Sequence, residues 1–198
     1  MIAVILVGQV YQQGIRLPSD GAFGGLFESI NQFIIFCPVI LMLLWRRQPF
    51  STVWLSGNKP LTKLALGIGI ALFAILIFTM VRTGSDSFFQ VVSRTYHYQN
   101  IQHMVQVFME DITIAFLFIR FRAVLKLRGS IILVAALFAA GHIPAMISQG
   151  YSFAELGSLL LDASLGVSLV YTLQRSSDVI WFWCIHFAMD MMQFYAVP

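Results

Sequence analysis

Long apolar runs separated by short polar turns set the pattern of this chain. Runs of about 20 apolar residues, the length a helix needs to cross a bilayer, fall at 22–45, 63–82, 101–120, 131–149, 154–174 and 177–197. The runs are continuous rather than alternating with period two, which argues against a β-barrel. The pattern predicts an all-α polytopic transmembrane helix bundle of about six spans. We take residues 1–198 as a single integral membrane domain. Met1–Val10 is apolar but too short to span, and it lacks the basic flank and cleavage site of a secretory signal. It reads as a short N-terminal helix, followed by a polar break at Arg16, Pro18, Ser19, Asp20 and Gly21.

Charge orients the spans. The turn after the first span carries Arg46, Arg47, Lys59 and Lys63 without an acid, and the turn after the third carries Arg120, Arg122, Lys126 and Arg128, again without one. With Arg175, nine of the twelve basic residues fall on one side, which the positive-inside rule makes cytoplasmic. Thr83–Asn100 is then external. Phe88, Phe89, Val91, Val92 and Tyr96 give it the character of an amphipathic segment lying on the membrane. Glu28, Asn31 and Gln32 read as interfacial polarity near the outer end of the first span. Trp45, Trp54, Trp181 and Trp183 sit near span ends and read as interfacial anchors. The small residues of Ala135-Ala136-Leu-Phe-Ala139-Ala140-Gly141 predict close helix approach.

Composition agrees with this reading. The chain is 59% hydrophobic and 11% charged, against about 25% charged in soluble domains. Its net charge of +3 lies in turns rather than along a basic face, so nucleic acid is not an expected partner. Cys37 and Cys184 both lie inside predicted spans and read as small core residues rather than a disulfide.

Against this apolar background, Glu110-Asp111 stands out. An ionised acid at the membrane centre costs about 2.5–3.5 kcal/mol on insertion scales, so two in succession should face the bundle interior and find partners. At about 1.5 Å per residue, Glu110 lies about 14 Å from the external end of its span, His142 about 10 Å, His186 about 16 Å and Asp190 about 10 Å. His186 and Asp190 are four apart and share a helix face, as do Phe138 and His142. Asp162 and Ser164 read as interhelical hydrogen-bonding residues, and His97 and His103, near the external surface, carry no role. Acids and imidazoles at common depth predict a polar cavity. There a Glu and a His can together take a proton from water, while a second His, oriented by an acid one turn away, donates to an oxyanion. Glu110, His142 and His186 could instead ligate zinc with an open position for water. The HExxH motif and a Cys ligand pair are absent, so metal is the second choice and no cofactor the first.

Glu110-Asp111, Phe138-Ala-Ala-Gly-His142 and His186-Phe-Ala-Met-Asp190, in that order, resemble the CPBP intramembrane proteases, the type II CAAX prenyl endopeptidases and their bacterial relatives in bacteriocin processing and self-immunity. Gly166 and Tyr171-Thr172, ahead of the last span, also look like the family. The resemblance covers residues 60–197. It implies an intramembrane endopeptidase of glutamate type, historically classed as a metalloprotease, in which Glu110 and His142 activate water and His186 with Asp190 stabilises the oxyanion. Asp111 stands where the family has its second glutamate, and Phe138 supports His142. The family's arginine position is Ala115, and the nearest arginine is Arg120.

The expected substrate is a membrane-associated peptide or protein tail, with or without a lipid attached, and membrane lipid is the surrounding partner. The alternative is a non-catalytic member that binds a membrane protein as a scaffold or immunity partner. A proton-coupled transporter is a third class, disfavoured because no repeat or paired broken helices are visible. Small size and the lack of sorting signals point to a bacterial inner (plasma) membrane.

Overall fold

A computed structural model describes residues 2–18, 23–82, 87–148, 150 and 159–192. Among these residues there are eight α-helices and no strand: α1 (Ile2–Gln12), α2 (Gly24–Trp45), α3 (Pro60–Arg82), α4 (Phe88–Thr95), α5 (Ile101–Arg122), α6 (Leu127–Ser148), α7 (Leu159–Ser176) and α8 (Val179–Asp190). Single 3₁₀ turns cover Phe50–Val53 and Tyr98–Asn100.

Among the described residues three helices are long and apolar enough to cross a membrane: α2 with 22 residues, α3 with 23, and α6 over Leu127–Pro144. A 22-residue helix is about 33 Å long, against about 30 Å of hydrocarbon. Leu41, Leu44, Phe73, Met80, Val81 and Ile132 on these helices are exposed. Apolar surface on that scale suits lipid rather than water. The other predicted spans fall on α5, α7 and α8. Residues 154–158 and 193–197 of the last two lie outside the described residues, as do Ser19, Asp20, Gly21, Asp86 and the side chain of Asp162.

Backbone contacts divide the chain into two compact bodies. One comprises residues 1–16, 34–54 and 112–177. In it α6 packs on α7. A Cβ placed on Gly166 would stand 3.4 Å from the Cβ of Ala135, so the two helices meet through small residues as the sequence predicts. Ala135 and Ala139 are buried with Val134, Val170 and Leu173. Trp54, in a left-handed conformation at φ 60°, turns its ring against Phe118 at 5.6 Å between centroids.

The other body comprises residues 17–33, 55–111 and 178–198. Its spine is α3 against α8. A Cβ on Gly67 would lie 2.8 Å from the Trp181 Cα and carbonyl oxygen and 2.9 Å from the Cys184 Cβ, so only glycine permits this approach. Farther along, Ala71, Ile75, Ala188 and Met192 bury each other with Val91 of α4. The expected amphipathic segment is thus α4, with Val91 and Thr95 turned inward and Phe89 outward.

Polar caps fix the ends. The Asp178 carboxylate accepts from the backbone N–H groups of Ile180 at 2.9 Å and Trp181 at 3.3 Å, capping α8, and its second oxygen pairs with the Lys63 ammonium. The start of α3 is thereby tied to the start of α8. Asn31, expected to be interfacial, is instead buried. Its amide donates to the Leu17 carbonyl and accepts from the Leu17 N–H, both at 3.0 Å, clasping the chain ahead of α2. Cys37 and Cys184 are free thiols, the first half-buried and the second buried.

Candidate functional site: a buried acid–histidine pair

The second body holds the best-organised ionisable cluster. Nδ1 of His186 (α8) lies 2.7 Å from Oδ1 of Asp111 (α5), with the two side chains 3% and 0% exposed. Nδ1 and the Asp111 oxygen share one proton between them. That leaves Nε2 facing Asp190 one turn on, whose Oδ1 is 3.6 Å away and whose side chain is 31% exposed. His186 is therefore held between a fully buried carboxylate and one open to the surroundings. The buried contact needs its partner: a lone carboxylate taken out of water is strongly disfavoured, and a charge-assisted hydrogen bond offsets much of that cost. The second oxygen of Asp111 is buried and has no hydrogen-bond partner among the described residues.

Aromatic packing fixes the α8 face. The Trp183 indole N–H donates to the Met104 carbonyl at 2.8 Å, and its ring meets Phe108 edge-on at 5.1 Å. Tyr96 lies against Phe187 at 5.9 Å, and Phe182 against His186 at 5.8 Å. Trp183, expected as an interfacial anchor, is thus a bolt between α8 and α5. Such contacts set the rotation of α8 that turns His186 toward Asp111.

Glu110 and Asp111 are about 100° apart around α5 and point in different directions. The Glu110 carboxylate accepts from the Gln106 amide at 2.9 Å, one turn earlier.

His142 and Phe138 belong to the other body. The Phe138 carbonyl can only accept, so the 2.9 Å contact places a proton on His142 Nδ1 and makes Nε2 the basic nitrogen of the neutral ring. The two rings meet edge to face at 4.8 Å, as their spacing predicts. Pro144, inside α6, removes the backbone donor that would serve the Ala140 carbonyl, close to His142. Ala115 is wholly buried. Arg120 donates to the Gln48 side chain and lies over the Phe116 ring at 5.1 Å.

The structure therefore brings together Asp111, His186 and Asp190, and separately Phe138 and His142. Among the described residues no group of three or more His, Cys, Asp or Glu side chains is arranged to hold a metal ion. No protein-family model matches the chain, and neither the curated proteins nor the solved structures yield a match. Among the described residues the protein is all-helical, with three helices long and apolar enough to cross a membrane and a buried carboxylate–imidazole pair.

Proposed function

We propose that the protein is an intramembrane endopeptidase hydrolysing a peptide bond in a membrane-associated peptide or protein tail, as its resemblance to the CPBP proteases implies. The observation that carries this reading is His186 clamped between Asp111 and Asp190. A carboxylate on Nδ1 fixes the orientation of the imidazole, as in hydrolases that use a histidine oriented by an acid. Protonated, His186 presents an Nε2–H to the oxygen of a carbonyl under attack and then to the leaving amine.

Glu110, steadied by Gln106, is the base that takes a proton from water. The water oxygen bonds to the carbonyl carbon, the C–N bond breaks, and the proton passes to the amine. By the resemblance, His142 shares in activating the water through Nε2. Loss of a general base lowers turnover by about 10²–10⁴-fold and loss of an oxyanion donor by about 10²–10³-fold.

The test is cleavage of a transmembrane-peptide library by the purified protein in liposomes, with Glu110→Gln, His142→Ala and His186→Ala beside the wild type. Cleavage that falls with all three supports the reading. Unchanged cleavage by folded variants, or none by the wild type, overturns it.

A second reading, a membrane scaffold or immunity partner, is favoured by Ala115, which puts a methyl group where the family pattern has a cation. In that case partner capture survives His142→Ala.

A further inference from the structure

Basic side chains gather at one end of the first body, on a surface the hydrolase reading does not use. α2 ends at Trp45, and Arg46 and Arg47 follow at once. The Arg47 N–H donates to the Leu44 carbonyl and the Gln48 N–H to the Leu43 carbonyl, both at 2.9 Å, with Arg47 at φ 51°. This is the helix ending that usually puts glycine in the left-handed position. Here an exposed arginine holds it. The side chain of Gln48 then accepts from the guanidinium of Arg120, near the end of α5. Arg122, two residues on, donates to the Leu125 carbonyl at 3.1 Å and so ties itself to the turn that carries Lys126 into α6. A side-chain bond between positions 72 apart thus joins two basic runs. Among the described side chains of this body there is no carboxylate. In the other body, by contrast, Lys63 is paired with Asp178. Beside the cations, Leu44, Trp45 and Val124 are strongly exposed.

We infer that the ends of α2 and α5, with the turn into α6, form a binding site for the headgroup of an anionic phospholipid. Arg46, Arg47, Arg122 and Lys126 supply the cations. Arg120 is a positioning residue, because its bond to Gln48 holds the two runs together. α2 and α6 are both long and apolar enough to cross a membrane, so their neighbouring ends stand at the level of the lipid phosphates. The planar fork of a guanidinium matches the oxygens of a phosphate in pairs. Leu44, Trp45 and Val124 cover the glycerol and the first carbons of the acyl chains, contacts that a free phosphate leaves unused. The positive-inside rule accounts for an excess of cations on one side of the membrane. It does not account for an arginine held where glycine is the less strained residue, nor for a bond between helices that draws the cations together. The site exists whether or not the chain cleaves peptides.

Spin-labelled phosphatidylglycerol and spin-labelled phosphatidylcholine with identical chains test this in phosphatidylcholine vesicles carrying the purified protein. The fraction of each label immobilised at the protein surface gives the preference for the anionic headgroup. Arg47 and Lys59 are a matched pair: both are exposed, both stand at φ 51°, and both lie on the side read as cytoplasmic, but Lys59 belongs to the other body. Glycine suits either position, so Arg47→Gly and Lys59→Gly should melt no lower than the wild type. A basic residue near an anionic surface strengthens attraction about fivefold. Arg47→Gly and Arg46→Gln should each lower the preference by about that factor, while Lys59→Gly leaves it unchanged. Equal losses from Arg47→Gly and Lys59→Gly overturn the proposal, since they mark diffuse attraction to the whole cytoplasmic face. A wild type with no preference overturns it as well. Inorganic phosphate, exchanged for chloride at equal ionic strength, should release no further label. Release would mark a site for free phosphate and likewise overturn the lipid assignment. None of these outcomes depends on peptide cleavage.

Discussion

Nδ1 of His186 stands 2.7 Å from Oδ1 of Asp111, a contact between side chains 75 positions apart in the chain and both inaccessible to solvent. The contact is a structural bond between α5 and α8 as well as a site. Removing one partner of a buried ion pair costs about 3–5 kcal/mol, because the other is left without compensation. Asp111→Leu is therefore expected to lower the unfolding temperature sharply. Asp111→Asn keeps an oxygen that can accept from Nδ1–H and should retain much of the stability while weakening any chemistry of His186. Thermal unfolding in detergent, followed by circular dichroism, separates the two.

Gly67 and Gly69 make a matched pair on α3. A methyl on Gly67 meets the Trp181 backbone at 2.8 Å, whereas nothing lies within 4 Å of one on Gly69. Gly67→Ala should destabilise by about 1–3 kcal/mol through overpacking. Gly69→Ala should be neutral or stabilise, since alanine is the better helix former by about 1 kcal/mol. Denaturant melts of the two variants provide the check, and equal effects would contradict the packing described for α3 and α8.

Asp178 does two things that substitution can separate. Asp178→Ala removes the cap of α8 and the Lys63 pair together, with an expected loss of about 1–2 kcal/mol for the cap alone. Asp178→Ser keeps a capping oxygen and loses only the charge partner, so it should cost less. Raising the salt concentration should narrow the gap between wild type and Asp178→Ser, because screening weakens the ion pair and leaves the cap intact.

Burial pushes the Tyr96 phenol up to about 12, with the Cys184 thiol adding to the effect. Its hydroxyl is buried without a hydrogen-bond partner among the described residues. Above pH about 10 the unfolded chain gives up this proton while the folded chain holds it, so stability falls as pH rises from about 10 toward 12. The difference in absorbance near 295 nm between wild type and Tyr96→Phe should show one phenol titrating late. Tyr96→Phe should also be at least as stable as wild type at neutral pH, because a buried unsatisfied hydroxyl costs about 1–3 kcal/mol.

The helices were legible because their signal is local. The run predicted at 22–45 is the helix Gly24–Trp45, and that at 101–120 is Ile101–Arg122. Pro60 suits a first helical turn, where its missing N–H costs nothing, which explains why α3 begins three residues ahead of the apolar run at Lys63. The face of α8 carrying His186 and Asp190 was also legible, from their spacing of four. That His186 meets Asp111 was not. The acids are adjacent on α5, and which of them turns toward α8 depends on the rotation of each helix. Apart from His186 and Asp190, α8 is apolar on all sides, so no periodic stripe records its rotation. It is set by tertiary contacts such as Trp183 on the Met104 carbonyl. Asn31 was misread for a related reason: a polar residue near a span end has the same sequence signature whether it faces headgroups or clasps a peptide unit such as that of Leu17.

The approach of Trp181 to Gly67 bears on how such a chain can change over evolutionary time. Most exposed apolar positions can exchange one aliphatic side chain for another, and an ionisable side chain can be exchanged for a neutral polar one of similar size. Position 67 has no such latitude, because the two backbones leave room there for a hydrogen atom and nothing larger. In distant descendants of this sequence, that glycine should outlast the ionisable residues.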